Sequence, residues 1–392
     1  MKKVLYTLLL FVTATFMAGC GDIGGQGGDK RMVLIYIAAT ESSVSGTATG
    51  NVIDLLHGHV PKKNSETEEL LVFFQDHDYS SASTKSDAVL SRYFTNRSGE
   101  VLQEVVTNFG SDFDACTPES FAKVLAAAEA TAHPTKRALL FSSHGTGWMP
   151  QGYFDSEGEK SKSRKTIGYD CKTKNELDIR DFASALGKYH WEALLLDCCY
   201  MGTIESVYQL RSCSDWIIAS PTEILIQGFP YECILDQLYL HPGQTGLETI
   251  CQKYYELYQG QTGSLQSGTI SLTKCSELDN LATTCANIVA LQRTAMKSVS
   301  RLSVQHYFYK DSKDYFFDFG HYFEKFATAD QLTTFNAQLD KAVPFKKATE
   351  KFIGLKIDHF SGLSIYIPDA RYVNLNAYYA NLDWNKKVKI IE

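Results

Sequence analysis

From residue 31 onward the chain alternates between two hydrophobic rhythms. Continuous apolar runs occupy 31–39 (RMVLIYIAA), 69–75 (ELLVFFQ), 136–143 (KRALLFSS), 191–197 (WEALLLD) and 216–220 (WIIAS). Runs this short, bounded by polar residues, predict strands buried on both faces. Between them, apolar residues recur at helical spacing. Residues 117–134 predict a helix: Thr117 can cap it, Pro118 suits its first turn, and Phe121, Val124, Leu125 and Ala128 share one face. Further helices are expected at 177–189, with Ile179, Phe182 and Leu186 inward, and at 202–211. The second half continues with helices at 246–259, 277–296, 315–327 and 329–343, and strands at 268–275 and 362–368, the latter ended by Pro368. The polar stretch 149–176, including DSEGEKSKSRKT at 155–166, offers little to bury and predicts an exposed, mobile loop. Apolar strands alternating with amphipathic helices predict an α/β fold, a mostly parallel sheet between two helical layers. In such sheets functional groups gather at the carboxyl ends of the strands.

The first thirty residues follow a different pattern. Lys2 and Lys3 precede an apolar run, Val4 to Met17, which is short for a bilayer span and fits a signal peptide. Met17-Ala18-Gly19-Cys20 resembles the lipobox of bacterial lipoproteins, and a glycine-rich tether follows at 21–28. This predicts a signal peptide over 1–19, a lipidated Cys20 with its tether over 20–30, a core over 31–240, and C-terminal helices and strands over 241–392 packed on that core. The protein is then exported and held on a membrane face by its acyl chains. The net charge of −7 argues against a nucleic-acid partner. Ten cysteines are present without a CxxC pair, so a zinc ribbon is not expected.

Two predicted strand ends carry reactive side chains. His144 follows the strand at 136–143, with Gly145 and Gly147 behind it; Cys198 and Cys199 follow the strand at 191–197, just before a helix. A cysteine nucleophile needs a partner that supports its thiolate and donors for an oxyanion. Imidazole titrates in the useful range, and the backbone N–H groups of Gly145 and Cys199 are candidate oxyanion donors. Alternation places Cys198 and Cys199 on opposite sides without saying which faces solvent.

The pair resembles peptidase clan CD, and within it the clostripain (C11) family. That family carries His-Gly-x-Gly-Trp, matched by His144-Gly145-Thr146-Gly147-Trp148. It also carries Asp-x-Cys-x-Met-Gly, matched by Asp197-Cys198-Cys199-Tyr200-Met201-Gly202. Similarity extends to IIASPTE (217–223), GFPY (228–231) and SGLSIYIP (361–368). The resemblance implies a caspase-like three-layer α/β/α sandwich and a cysteine endopeptidase, with Cys199 as nucleophile, His144 as its partner and Cys198 in the variable position. It implies cleavage of protein or peptide substrates, often after Arg or Lys, with Asp197 and Glu223 as candidate carboxylates for a basic P1 side chain. It also implies self-cleavage between the two strands, where Lys160, Lys162, Arg164 and Lys165 are candidates. The chain departs from the family after Glu223, where apolar Ile-Leu-Ile-Gln replaces the usual Pro-Gly.

No cofactor is expected. Calcium supports some members of this family, but no EF-hand-type loop occurs. His57-Gly58-His59 and Asp76-His77-Asp78 read as surface and turn residues rather than metal ligands, and the aromatic cluster at 306–323 as core. Two rivals remain on the same residues: a binding lipoprotein that has lost catalysis, and a thiol-redox role for the vicinal cysteines.

Overall fold

The computed structural model describes residues 28–78, 84–153, 166–307 and 314–392. Nine strands form one continuous path: β1 (Arg31–Ala39), β2 (Glu68–Asp78), β3 (Ala88–Thr95), β4 (Val101–Gly110), β5 (Lys136–Ser142), β6 (Trp191–Asp197), β7 (Ser214–Ala219), β8 (Thr269–Lys274) and β9 (Phe345–Ala348). Their order across the sheet is β9-β8-β7-β6-β5-β1-β2-β3-β4, and a two-residue strand, Thr84–Lys85, pairs with β2 off this path. The five central strands, β7 to β2, are parallel; the strands added at both edges are antiparallel.

The principal helices are α1 (Ser42–Leu55), α2 (Pro118–Ala132), α3 (Ile179–Leu186), α4 (Ile204–Leu210), α5 (Tyr231–Tyr239), α6 (Gln244–Gln259), α7 (Leu278–Leu291) and α8 (Ala329–Ala342). Strand alternation sorts side chains into two cores. Val33, Ile35, Ile37 and Leu195 pack against α1, α5 and α6. Leu34, Tyr36, Leu194 and Leu196 pack against α2, α3 and α4, and α7 and α8 extend that core. Tyr36 anchors it: its ring stacks on Phe73 at 4.3 Å and its hydroxyl donates to the Ala115 carbonyl at 2.7 Å. Thr117 caps α2 by accepting the Ser120 N–H, as its position predicts.

Some elements differ from expectation for identifiable reasons. Helix α1 carries no continuous apolar stripe; packing of Ala48, Val52 and Leu55 holds it. The β3–β4 hairpin lies at the edge, where half-exposed strands lose the apolar signature. The run at 277–296 breaks at Gln292, whose φ of −112° and ψ of 20° leave the helical region. Within 315–327, Phe317–Asp318 first pair with Ser364–Ile365, and only then does a helix begin, capped by Asp318 on the His321 N–H. The stretch 149–176 is not uniformly exposed. Ile167, Tyr169, Asp170 and Cys171 are buried, and Asp170 forms a buried ion pair with Lys85. Of the aromatic cluster at 306–323, the described Tyr307, Tyr315, Phe316, Phe317, Phe319 and Phe323 are buried in the core, and residues 308–313 lie outside the described residues.

Candidate active site

Register brings the two motifs together. Ile37 aligns with Ser142 across β1 and β5, and Ser142 with Asp197 across β5 and β6. His144 and Cys199 therefore each stand two residues beyond aligned neighbours, at the carboxyl ends of adjacent parallel strands. Both line a cleft of about 210 Å³, together with Gly145, Asp197, Glu223 and Ile224.

The vicinal cysteines separate by face. Cys198 continues the Leu194–Leu196 side into the α2–α4 core, where it is 2% exposed, and its thiol donates to the Phe141 carbonyl at 3.6 Å. Burial pushes that thiol well above its ordinary range. Cys199 is half-buried at the rim. The Ile224 N–H donates to its Sγ at 3.3 Å, and the Ile224 carbonyl lies 3.7 Å from the same sulfur.

Close backbone approach fixes these ends. A Cβ on Gly145 would lie 2.7 Å from the Cys199 carbonyl oxygen and 3.1 Å from its nitrogen, so only glycine lets the two turns touch. Tyr200, next to Cys199, takes a left-handed φ of 58°, which is unfavourable for a side chain of this size. Two contacts hold it there: its N–H donates to Thr222 O at 2.8 Å, and its ring stacks on Phe316 at 4.5 Å. Trp148 is fully buried and packs on Tyr366 and Tyr379, so the motif's tryptophan anchors the turn rather than lining the cleft.

Asp197 points to the opposite side from Cys198 and forms part of the cleft wall. The Tyr231 hydroxyl donates to its Oδ2 at 2.5 Å and the Ser142 hydroxyl at 3.2 Å. Burial pushes its carboxyl up to about 6, opposed by these bonds and by the Phe229 N–H. Glu223 lines the same cleft, and Ile224, Leu225 and Ile226 continue along it. The C-terminal end of this segment is tied down by two bonds: Thr47 donates to Ile226 O at 3.1 Å, and the Tyr258 hydroxyl to Gly228 O at 2.9 Å.

One residue absent from the sequence reading joins the site. Glu41, just past β1, places Oε2 at 2.9 Å from His144 Nε2. Lys160, Lys162, Arg164, Lys165 and Cys20 lie outside the described residues. His59 is bonded to Glu68 at 2.9 Å while His57 faces Asp54, so these two imidazoles serve different acids. No disulfide occurs among the described cysteines, and no described helix is long and apolar enough to cross a membrane.

The profile of the Clostripain family matches residues 35–389. A search of the curated proteins finds no match. Among solved structures, the chain is similar to an inactive zymogen C11 protease from Parabacteroides distasonis, at 27% identity and a TM-score of 0.77 over 92% of this chain and 98% of that one. It is also similar to iotapain, a secreted C11 cysteine protease from Bacteroides thetaiotaomicron, at 26% identity and a TM-score of 0.75 over 92% and 99% of the two chains. The architecture is thus the caspase-like sandwich of the C11 proteases. A match over nearly all of the folded chain, joined to both motifs at the carboxyl ends of two adjacent central strands, means that this protein belongs to the clostripain family of cysteine endopeptidases.

Proposed function

We propose that Cys199 and His144 form the catalytic dyad of an exported, lipid-anchored endopeptidase. The carrying observation is that these two side chains line one cleft from aligned strand ends. Cys199 passes its thiol proton to His144 as Sγ attacks the scissile carbonyl carbon, and the N–H groups of Gly145 and Cys199 receive the oxyanion. His144 gives its proton to the departing amine as the C–N bond breaks, and water then hydrolyses the thioester. Substrate entry requires the Ile224 backbone to yield its hold on the sulfur.

The buried carboxylate of Asp197 recognises a Lys or Arg side chain before the scissile bond, with Glu223 as a second acid on the cleft wall. The same preference supports self-cleavage within 155–166, at Lys160, Lys162, Arg164 or Lys165. The lipobox-like Cys20 supports membrane anchoring after export.

The test is incubation of the purified protein with a positional-scanning peptide library, followed by intact-mass analysis of the protein. Peptides cut after Lys or Arg and a protein cut within 155–166 are the expected results. Cys199→Ala should reduce peptide hydrolysis by at least a thousandfold, while Cys198→Ala keeps most of it. Equal activity of the two variants overturns the assignment. Uniform unreactivity toward an acyloxymethyl ketone probe would instead favour a binding protein on this scaffold.

A further inference from the structure

We propose that Glu41 is a positioning residue for His144, completing a carboxylate–imidazole–thiol series across three adjacent strand ends. The inference rests on the reading of His144 as the general acid. Strand β5 lies between β1 and β6 in the sheet, so a residue past its end has one neighbour on each side. On the β6 side stands Cys199; on the β1 side stands Glu41, with Oε2 at 2.9 Å from His144 Nε2. Both side chains are mostly shielded, at 11% exposure for His144 and 24% for Glu41. A carboxylate at this distance fixes the ring plane and sets which ring nitrogen faces away from it. With Nε2 bonded to Glu41, proton delivery to the leaving amine falls to Nδ1.

The backbone around Glu41 is built to hold this position. Thr40, its neighbour, donates to Tyr169 O at 2.8 Å and accepts the Cys171 N–H at 3.3 Å. The Glu41 carbonyl accepts the Ser45 N–H at 3.1 Å and so starts α1. The edge of the Tyr169 ring meets the His144 ring at 6.4 Å, and the Gly168 N–H donates to His144 O at 3.0 Å. One buried segment thus clamps both the strand that carries Glu41 and the turn that carries His144.

A positioning role separates from a merely structural one through the leaving group. Amide hydrolysis needs a proton delivered to a poor leaving group; hydrolysis of an activated ester does not. The experiment compares Glu41→Gln and Glu41→Asp with the wild-type full chain. The substrates are an aminocoumarin amide and a p-nitrophenyl ester of the peptide that the library selects. Glu41→Gln, nearly isosteric, should lower kcat for the amide at least tenfold, change ester kcat less than threefold, and leave KM within about twofold. Glu41→Asp, which keeps the charge on a shorter stem, should recover part of the amide rate. Equal losses on both substrates would reduce Glu41 to a structural residue. An unchanged amide rate would remove it from the mechanism, and a faster one would make it a lock on the resting enzyme; each overturns the proposal. Wild-type amide activity in His144→Ala would sink the dyad itself, a failure visible without any Glu41 variant.

Discussion

At the scale of the residue, Asp197 sets its proposed role in recognition against stability. Its carboxyl, about 6 in the fold against an ordinary 3.8, holds its proton more tightly when folded than when unfolded. Below about pH 4 the group is protonated in both states and brings no penalty. Between 4 and 6 the unfolded chain ionises first, so stability falls as pH rises, and above 6 the full penalty of about 3 kcal/mol is present. Asp197→Asn removes the charge and keeps an acceptor for the Tyr231 hydroxyl. The variant should therefore melt higher than wild type at pH 7, with the gap closing toward pH 4, as followed by thermal unfolding. The same substitution should abolish preference for Lys or Arg in the peptide library. In the wild type, KM for a basic P1 substrate should rise several-fold from pH 7 to pH 5, as the carboxylate takes up its proton. A protein whose Asn variant is less stable at pH 7 and still selects basic residues would place the recognition charge elsewhere.

At the scale of the element, the site is a property of strand ends, and this is where the sequence was most and least legible. Strands β1, β5 and β6 could be read because each is a continuous apolar run, and the two motifs sit where β5 and β6 stop. The fate of Cys198 and Cys199 could not be read from alternation, because both faces of β6 are covered and Ala193–Leu195 look as apolar as Leu194–Leu196. Facing required knowing that the even positions run under α2–α4. Glu41 was invisible for a different reason: its partner lies 103 positions away, and no local pattern marks an acid after β1. Helix α1 was missed because its stability lies in packing and not in its own composition. Close contact between turns gives a sharp test. Gly145→Ala drives a methyl into the Cys199 backbone, which cannot rotate aside. Activity should fall at least a hundredfold while the far-ultraviolet spectrum stays unchanged. Gly50→Ala, within α1 and with open space around its Cβ, should keep full activity and add about 1 kcal/mol of stability. Full activity in Gly145→Ala would mean that the two turns need not touch.

At the scale of the whole molecule, the proposed cut divides the chain but not the sheet. Cleavage within 155–166 leaves β1–β5 on one fragment and β6–β9 on the other, and the boundary between them, β5 against β6, lies in the middle of the parallel core. Five aligned pairs, from Ala138–Ala193 to Ser142–Asp197, cross it. The segment after the cut is held to the N-terminal fragment independently, through the buried Lys85–Asp170 pair and the bonds between Thr40 and residues 169–171. Separation would expose Leu139, Leu140 and Phe141 on one side and Leu194, Leu195 and Leu196 on the other, each buried at about 1.5–3 kcal/mol. It would also strand the Lys85 and Asp170 charges without each other. Cut protein should therefore give two bands on a denaturing gel, one peak in native size-exclusion chromatography and one thermal transition. The cleft should survive the cut as well, since His144 and Cys199 are placed by the β5–β6 register and not by the covalent link between them. Cut protein should accordingly react with a peptidyl acyloxymethyl ketone at Cys199 at least as fast as the uncut chain. Fragments that part without denaturant would show that the connecting loop, rather than the sheet, holds the two halves of the site together.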